Sequence, residues 1–560
     1  MPQLIKLCLA IAVAFHPFAA SAQVAPARAS IAALSAAQID ATVGQYYKPN
    51  EPGAVILVAK DGKTIFRKAY GLADAARGTP MTADMQLRVG SITKQFTSTA
   101  ILLLVDEGKI KLDDDITRFL PDYPTKGKRI TVENLLNHTS GIVSFTGKPG
   151  YLEHMAEDMT AAAIIDTYKN DPLEFEPGTR YKYNNSGYQL LGVIIEKVSG
   201  QSYADFLEQR IFKPLGMNDT AYEGKEHGKA IRAVGHSRSG KGFGPSAPIS
   251  MTQPFAAGAL VSTVDDLARW DVAVSSGKLL TPATWQKAFA KTTLADGKLA
   301  DYGYGWVNGQ VRGVPTIEHG GAINGFNSFA IRVPAEHVYV VVLRNTDGGT
   351  ANTETVARAT AAAAIGKPYP QRTAETLDAK ALDAYAGAYK IDETSQRIVR
   401  REGDKLRMQR TDRQPYLLTP FSATSFFIPG EMDWFEFTRN AQGQVVSLTV
   451  HRDGADEVDL RTGDAPPDRA VVAVAPATFD KLVGRWQMNP TLVLELTREG
   501  ERFFVTGTRQ PKIEFFPASD TVFFAKVVPA ELHVDKDAAT GETVLVLHQN
   551  GAQLKGRKLP

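Results

Sequence analysis

The chain has 560 residues, 43% of them hydrophobic and 22% charged. That is too long for one hydrophobic core, which points to roughly two to four domains, and too apolar for a disordered or fibrous chain. A formal net charge of +2 gives no electrostatic reason to expect a nucleic-acid or acidic partner.

Residues 1–22 read as a signal peptide, with Lys6 as the positive start, residues 7–14 as a short apolar run and Ala20-Ser21-Ala22 as a small-residue cleavage site. Pro17 and the shortness of the run argue against a buried helix or a membrane anchor. Export to the periplasm or the exterior is therefore expected. Cys8, the single cysteine, would leave with this peptide, so the mature chain would have no disulfide, thiol nucleophile or cysteine ligand. No later apolar run is long enough to span a bilayer.

A first domain is expected over residues 30–366. Residues 54–58 and 64–68 are β-rich and are joined by the turn Lys60-Asp61-Gly62-Lys63. Residues 91–107 read as a helix whose apolar face holds Phe96, Ala100, Leu103 and Leu104, with further helices at 187–199 and 203–212. Residues 329–333 and 338–343 look like paired strands around Pro334-Ala335-Glu336. Strands at both ends with helices between them suggest an α/β region whose sheet is closed by distant segments. After a linker at Lys367-Pro368-Tyr369-Pro370 the chain turns to short strand-like runs and repeats itself. Tyr385-Ala386-Gly387-Ala388-Tyr389 returns as Leu482-Val483-Gly484-Arg485-Trp486, Leu418-Thr419-Pro420 as Phe515-Phe516-Pro517, Phe426-Phe427 as Phe523-Phe524, and Gly454 as Gly551. All keep one register, so two similar modules are expected at 380–464 and 477–560, each the size of a small antiparallel barrel or sandwich.

Chemistry is concentrated in the first domain. Ser91-Ile92-Thr93-Lys94 opens the apolar helix, which sets Ser91 and Lys94 one turn apart on one face and puts the serine at a helix N-terminus. Ser275-Ser276-Gly277-Lys278 matches the same pattern but lies in a turn. A serine hydroxyl needs a base, and a lysine in an apolar setting can have its pKa lowered toward that task. Tyr183-Asn184-Asn185 sits on a loop, where Tyr183 could shuttle protons and Asn185 could hold Lys94 or a substrate amide. Tyr168-Lys169-Asn170 competes but reads as a helix end. His319-Gly320-Gly321-Ala322 offers glycines that let a ligand approach the backbone, and an N–H there could form an oxyanion hole with that of Ser91. A plain Gly-Gly turn is the competing reading. His138 reads as a loop-fixing histidine rather than a triad base. No Gly-x-Ser-x-Gly elbow, His-Glu-x-x-His or clustered His/Asp set is present, so neither an α/β-hydrolase, a metal nor a cofactor is expected.

The ordered set Ser-x-x-Lys, Tyr-x-Asn, His-x-Gly resembles the serine β-lactamase and penicillin-binding-protein superfamily, in its class C-like branch (peptidase family S12). Leu135-Leu136-Asn137-His138-Thr139-Ser140-Gly141, Gly258-Ala259-Leu260-Val261-Ser262-Thr263 and Tyr302-Gly303-Tyr304-Gly305-Trp306 also fall at family-like places. The resemblance implies a mostly antiparallel sheet flanked by helices with a helical subdomain, followed here by two lipocalin-like all-β barrels. It implies that Ser91 is acylated, that Lys94 and Tyr183 are the acid/base pair, and that Asn185 and His319 bind and orient. It also implies that the N–H groups of Ser91 and Ala322, with Gly321 between His319 and Ala322, form the oxyanion hole.

True β-lactamases usually carry lysine where this chain has His319, and a neutral imidazole suits a substrate carboxylate poorly. Together with the two β-modules, this looks most like the D-stereospecific aminopeptidases. In those, a loop of the last barrel enters the site; the stretch Thr506-Gly507-Thr508-Arg509-Gln510-Pro511-Lys512, or Glu514, would correspond, with a surface hairpin as the other reading. The expected function is a secreted serine hydrolase releasing N-terminal residues, D-configured ones foremost, from a peptide, amide or ester substrate. An esterase, a weak β-lactamase and a penicillin-binding sensor that acylates without turnover remain alternatives. A homodimer is left open.

Overall fold

Two runs far apart in sequence, both rich in β-branched residues, lie side by side at the centre of the first domain. The computed structural model describes residues 35–559 save 227–229, 240–241, 349–351, 394, 412, 414, 454, 467–469, 490–491, 509–511, 527, 529, 538–539 and 550–551. The expected signal peptide with Cys8, and the repeat pair Gly454 and Gly551, lie outside the described residues.

Helix α1 (Ala36–Gly44) leads into β1 (Ala54–Lys60) and β2 (Lys63–Tyr70). Helices α2 (Thr93–Asp106), α3 (Asn185–Ser199) and α4 (Val264–Ser275) follow, then β3 (Val307–Val311), β4 (Val314–Ile323), β5 (Phe326–Val333), β6 (Val338–Arg344) and α5 (Thr353–Ala364). The strands form one antiparallel sheet in the order β3-β4-β5-β6-β1-β2. Every residue of β6 is buried, as a strand covered on both faces requires. One face packs Ile56, Val58, Val340 and Val342 on Val43 of α1 and Val356 and Ala361 of α5. The other packs Val55, Leu57, Val341 and Leu343 in a larger core with Phe96 of α2, Leu190 of α3 and Trp270 of α4. The expected α/β layout, with sheet strands drawn from both ends of the domain, is thus present.

The C-terminal region forms two closed antiparallel barrels of eight strands, one running from Gly387–Lys390 to Ala455–Gly463 and the other from Gly484–Asn489 to Ala552–Lys558. The register read from sequence recurs in space. Pro420 faces Phe426 and Pro517 faces Phe523 across neighbouring strands. Tyr389 donates its hydroxyl to the Tyr385 carbonyl at 2.7 Å, and Trp486 donates its indole N–H to the Leu482 carbonyl at 2.7 Å. Among the described residues no helix is long and apolar enough to cross a membrane.

Candidate active site

Ser91 lies in a single 3-10 turn (Gly90–Ile92) that runs directly into α2, one turn ahead of the α-helix expected to begin with it. This turn is pressed against β4. Gly90 has φ +50°, and a methyl on it would lie 2.9 Å from the Ala322 nitrogen; a methyl on Gly321 would lie 2.1 Å from the Val89 carbonyl oxygen and 2.9 Å from the Ser91 nitrogen. Both glycines are required by backbone-to-backbone approach. His319-Gly320-Gly321-Ala322 is therefore a piece of strand, where a turn was the competing reading. β3 pairs with β4 only as far as Glu318, whereas β5 continues alongside through Ile323. The second edge of residues 319–323 is left without a strand beside the Ser91 turn. Ser328 of β5 fixes the approach by donating its hydroxyl to the Val89 carbonyl at 2.8 Å.

Lys94 is 0% exposed. Its Nζ donates to Ser91 Oγ at 3.1 Å, to Asn185 Oδ1 at 2.9 Å and to the Ala257 carbonyl at 2.8 Å. The ammonium also lies 4.8 Å from the Tyr183 ring centre and 5.3 Å from that of Tyr188. Burial drives it well below the usual lysine range. Of these contacts, the Ala257 carbonyl is one that sequence reading missed, because a backbone oxygen leaves no residue signature.

Asn185 is the first residue of α3, capped by the Asn184 side chain, which accepts from the Gly187 N–H at 2.7 Å. Asn185 Nδ2 donates to Thr146 Oγ1 at 3.0 Å and its N–H to Ser144 Oγ at 3.2 Å, so its Oδ1 is turned to Lys94. Tyr183 is 37% exposed, and its ring lies over the Lys94 amine beside Ser91. Burial pushes the Tyr183 hydroxyl up from the usual tyrosine value, so it stays protonated.

His319 is 4% exposed and has no free nitrogen. Nδ1 lies 2.6 Å from the Gly320 carbonyl and must donate to it, so Nε2 accepts from the Tyr302 hydroxyl at 2.9 Å. Burial first, and the field of Lys94 second, push the imidazole down to about 3. It is neutral, as its residue type led one to expect, but it holds the strand in place and offers the substrate no nitrogen. Tyr302, known from sequence only as part of a flanking motif, is the partner that fixes it. His138 fixes a loop: its Nδ1 accepts from the Asn184 N–H at 3.1 Å, and its ring lies 4.4 Å from that of Tyr183 and 4.5 Å from that of Tyr302. Burial drives it well below the usual histidine value, with Lys94 and His319 adding to the effect.

The competing motifs do different work. Ser275 Oγ accepts from Arg332 at 2.7 Å at the end of α4, and Tyr168 is buried with its hydroxyl donated to the Ser186 carbonyl at 3.3 Å. Thr506 pairs with Lys512 across a hairpin of the second barrel, Lys512 pairs with Glu499, and Glu514 is gripped by Arg502 at 2.9 and 2.7 Å. Arg509, Gln510 and Pro511 lie outside the described residues. Among the described residues no group of His, Cys, Asp and Glu side chains is arranged to hold a metal ion.

The family model described as Beta-lactamase matches residues 39–365, and the one described as a domain of unknown function, DUF3471, matches residues 371–463. Penicillin-binding protein 4* of Bacillus subtilis is 28% identical over 447 residues, covering 75% of this chain and 97% of that protein. D-aminopeptidase of Gluconobacter oxydans is 30% identical over 330 residues, 58% of this chain and 61% of that protein. The D-amino acid amidase of Ochrobactrum anthropi complexed with D-phenylalanine aligns with a TM-score of 0.50 at 27% identity, covering 59% of this chain and 96% of its own. The octameric penicillin-binding protein homologue of Pyrococcus abyssi aligns with a TM-score of 0.55 at 24% identity, over 77% of this chain and 99% of its own, and speaks for the fold alone. The chain belongs to the Beta-lactamase family, within the serine β-lactamase and penicillin-binding-protein superfamily.

Proposed function

We propose that this protein is an exported serine hydrolase that acts on amides of D-configured amino acids or peptides through an acyl-enzyme on Ser91. The observation that carries the reading is Lys94, an amine with no water contact held 3.1 Å from Ser91 Oγ. In its neutral form it keeps two donations, to Asn185 Oδ1 and the Ala257 carbonyl, and turns its lone pair to the Ser91 hydroxyl. As Ser91 Oγ attacks the carbonyl carbon, its proton passes to Lys94. The charge that develops on the carbonyl oxygen is met by the N–H groups of Ser91 and Ala322 across the Gly90–Gly321 contact. Tyr183, kept protonated, gives its proton to the leaving amine and is reprotonated from Lys94. Water then attacks the ester, losing a proton to the same pair, and Ser91 regains its own.

The substrate side of the reading rests on charge. His319 is neutral and engaged at both nitrogens, so no cation stands at the third motif to collect a substrate carboxylate. The open edge of residues 319–323 suits an extended acyl chain that pairs with backbone. D-configuration is inferred from the D-aminopeptidase and the D-amino acid amidase among the relatives. The same neutral surroundings serve esters, which makes an esterase the second reading. The signal-like residues 1–22 support export to the periplasm or the exterior.

The test is a panel of D- and L-alanine p-nitroanilides, p-nitrophenyl esters and nitrocefin, assayed with the wild type and Ser91→Ala. Preference for the D-anilide is expected, with turnover falling by about 10⁴-fold or more in Ser91→Ala. Preference for L-amides or esters would overturn the substrate assignment. A stable fluorescent-penicillin adduct without amide hydrolysis would favour a sensor.

A further inference from the structure

The first barrel meets the catalytic domain at a seam that the chemistry above does not use. The tip of the β3–β4 hairpin, Arg312 with φ +53° and Gly313 with φ +75°, is held by Asp453 at the tip of a barrel hairpin. Asp453 Oδ1 accepts the Arg312 N–H at 2.8 Å, its carbonyl accepts from Gln310 Nε2 at 3.2 Å, and its other carboxylate oxygen accepts the Tyr369 hydroxyl. Beside this latch the two domains do not close on each other. They leave a cavity of about 560 Å³ walled by Tyr369, Phe421, Met432 and Trp434, with Arg312, Arg372, the paired Arg452 and the latch carboxylate Asp453 also on it. That volume is in the range of small-molecule sites, roughly 300–1,000 Å³.

The two guanidiniums are the unusual feature. Arg372 lies 5.8 Å from the Phe421 ring centre and 5.9 Å from that of Trp434, and Arg312 lies 5.2 Å from that of Tyr369. Among the described residues neither side chain has an ion-pair partner or a hydrogen-bond acceptor. Arg372 is half-buried, and burial lowers its affinity for its proton, with Asp433, Tyr46 and Tyr369 opposing and Arg312 adding a smaller like-charge push. The acids nearby are already engaged: Asp453 holds the latch and Asp433 pairs with Arg452 at 3.5 Å. A partly desolvated Arg372 with no acceptor is costly, and an oxyanion in the cavity that both guanidiniums line would supply one.

We propose that this seam is a second, non-catalytic binding site that takes a small organic carboxylate, its charge between Arg312 and Arg372 and its apolar part on the Met432, Phe421 and Trp434 wall. Eight residues of strand, at about 3.3 Å each, separate Gly313 from Gly321, so the site is roughly 26 Å from the nucleophile turn. A ligand there cannot be the substrate in reaction.

Calorimetric titration of the full chain with benzoate, benzamide and inorganic phosphate tests this. Benzoate is expected to bind at one site per chain while benzamide does not. Arg372→Gln and Arg312→Gln should each weaken benzoate by about tenfold or more while leaving amide hydrolysis as in the wild type. Arg372→Lys, which keeps the charge and the fold but loses the planar fork, should also bind more weakly. Equal binding of benzamide, unchanged affinity in the arginine variants, or loss of benzoate binding in Ser91→Ala would overturn the proposal. Phosphate binding without benzoate binding would overturn the choice of a carboxylate.

Discussion

His319 shows how one residue can satisfy a sequence expectation for a different physical reason. An exposed histidine is mostly neutral near pH 7 because of its ordinary pKa. This one is neutral because burial, Lys94 and the Tyr302 hydroxyl leave no room for a second proton. In the unfolded chain the ring binds a proton below about 6.5, while in the folded protein it does so only near 3. Its contribution to stability is thus complete above about 6.5 and is lost as pH falls from there toward 3. His138 shifts in the same direction. The melting temperature is expected to drop between about pH 7.5 and about pH 5, and His319→Gln should flatten that slope. An equal slope in the variant would contradict the assignment. On the proposed mechanism, activity should have its own acid limb, because protonated Lys94 could not accept the Ser91 proton; its inflection should lie well below the usual lysine range. Ser91, Lys94, Tyr183 and Asn185 were legible in sequence because their spacing is the signal. The Ala257 carbonyl, the Thr146 hydroxyl that turns Asn185, and the Tyr302–His319 bond were not, because each depends on contacts between distant segments.

Among the elements, β4 contributes most to the candidate site. Its last residues were legible as a motif but not as strand, since two glycines erase the alternation that marks one. Helices were easier to read where a cap and an apolar face coincide, as in α3. The segment read as one helix over 203–212 is instead an α-helix (Tyr203–Leu207) followed by a π turn (Glu208–Phe212), a change of hydrogen-bond step that leaves the apolar pattern intact. The close approach of β4 to the Ser91 turn gives a sharp expectation. Gly321→Ala sets a methyl 2.1 Å from one backbone atom and 2.9 Å from another, and neither can rotate away. The oxyanion site should be displaced and kcat should fall by about 100-fold or more, with the acid-limb inflection unchanged. Near wild-type kcat in a folded Gly321→Ala protein would show that β4 does not line the reacting carbonyl.

For the whole molecule, the repeat was legible because Tyr389 and Trp486, Pro420 and Pro517, and Phe426 and Phe523 keep one offset. Closure into barrels was legible only through the family resemblance, because from residues alone it depends on pairing between the first and last strands of each module. The docking of the first barrel was not legible, since it turns on Asp453 in a plain hairpin sequence. Asp453→Ala leaves the Arg312 N–H, the Tyr369 hydroxyl and the seam without their shared acceptor. It should lower the stability of the domain junction by about 1–3 kcal/mol, read as an earlier calorimetric transition, with hydrolysis in the folded protein retained. A melting profile identical to the wild type would contradict the latch.

Everything proposed about the site turns on Ser91 carrying the acyl group. Acid-quenched turnover of D-alanine p-nitroanilide, followed by intact-mass and peptide mass spectrometry, tests it most directly. The expected result is a D-alanyl adduct on the peptide containing Ser91, absent in Ser91→Ala. An adduct on another residue, or steady turnover by Ser91→Ala, would contradict it.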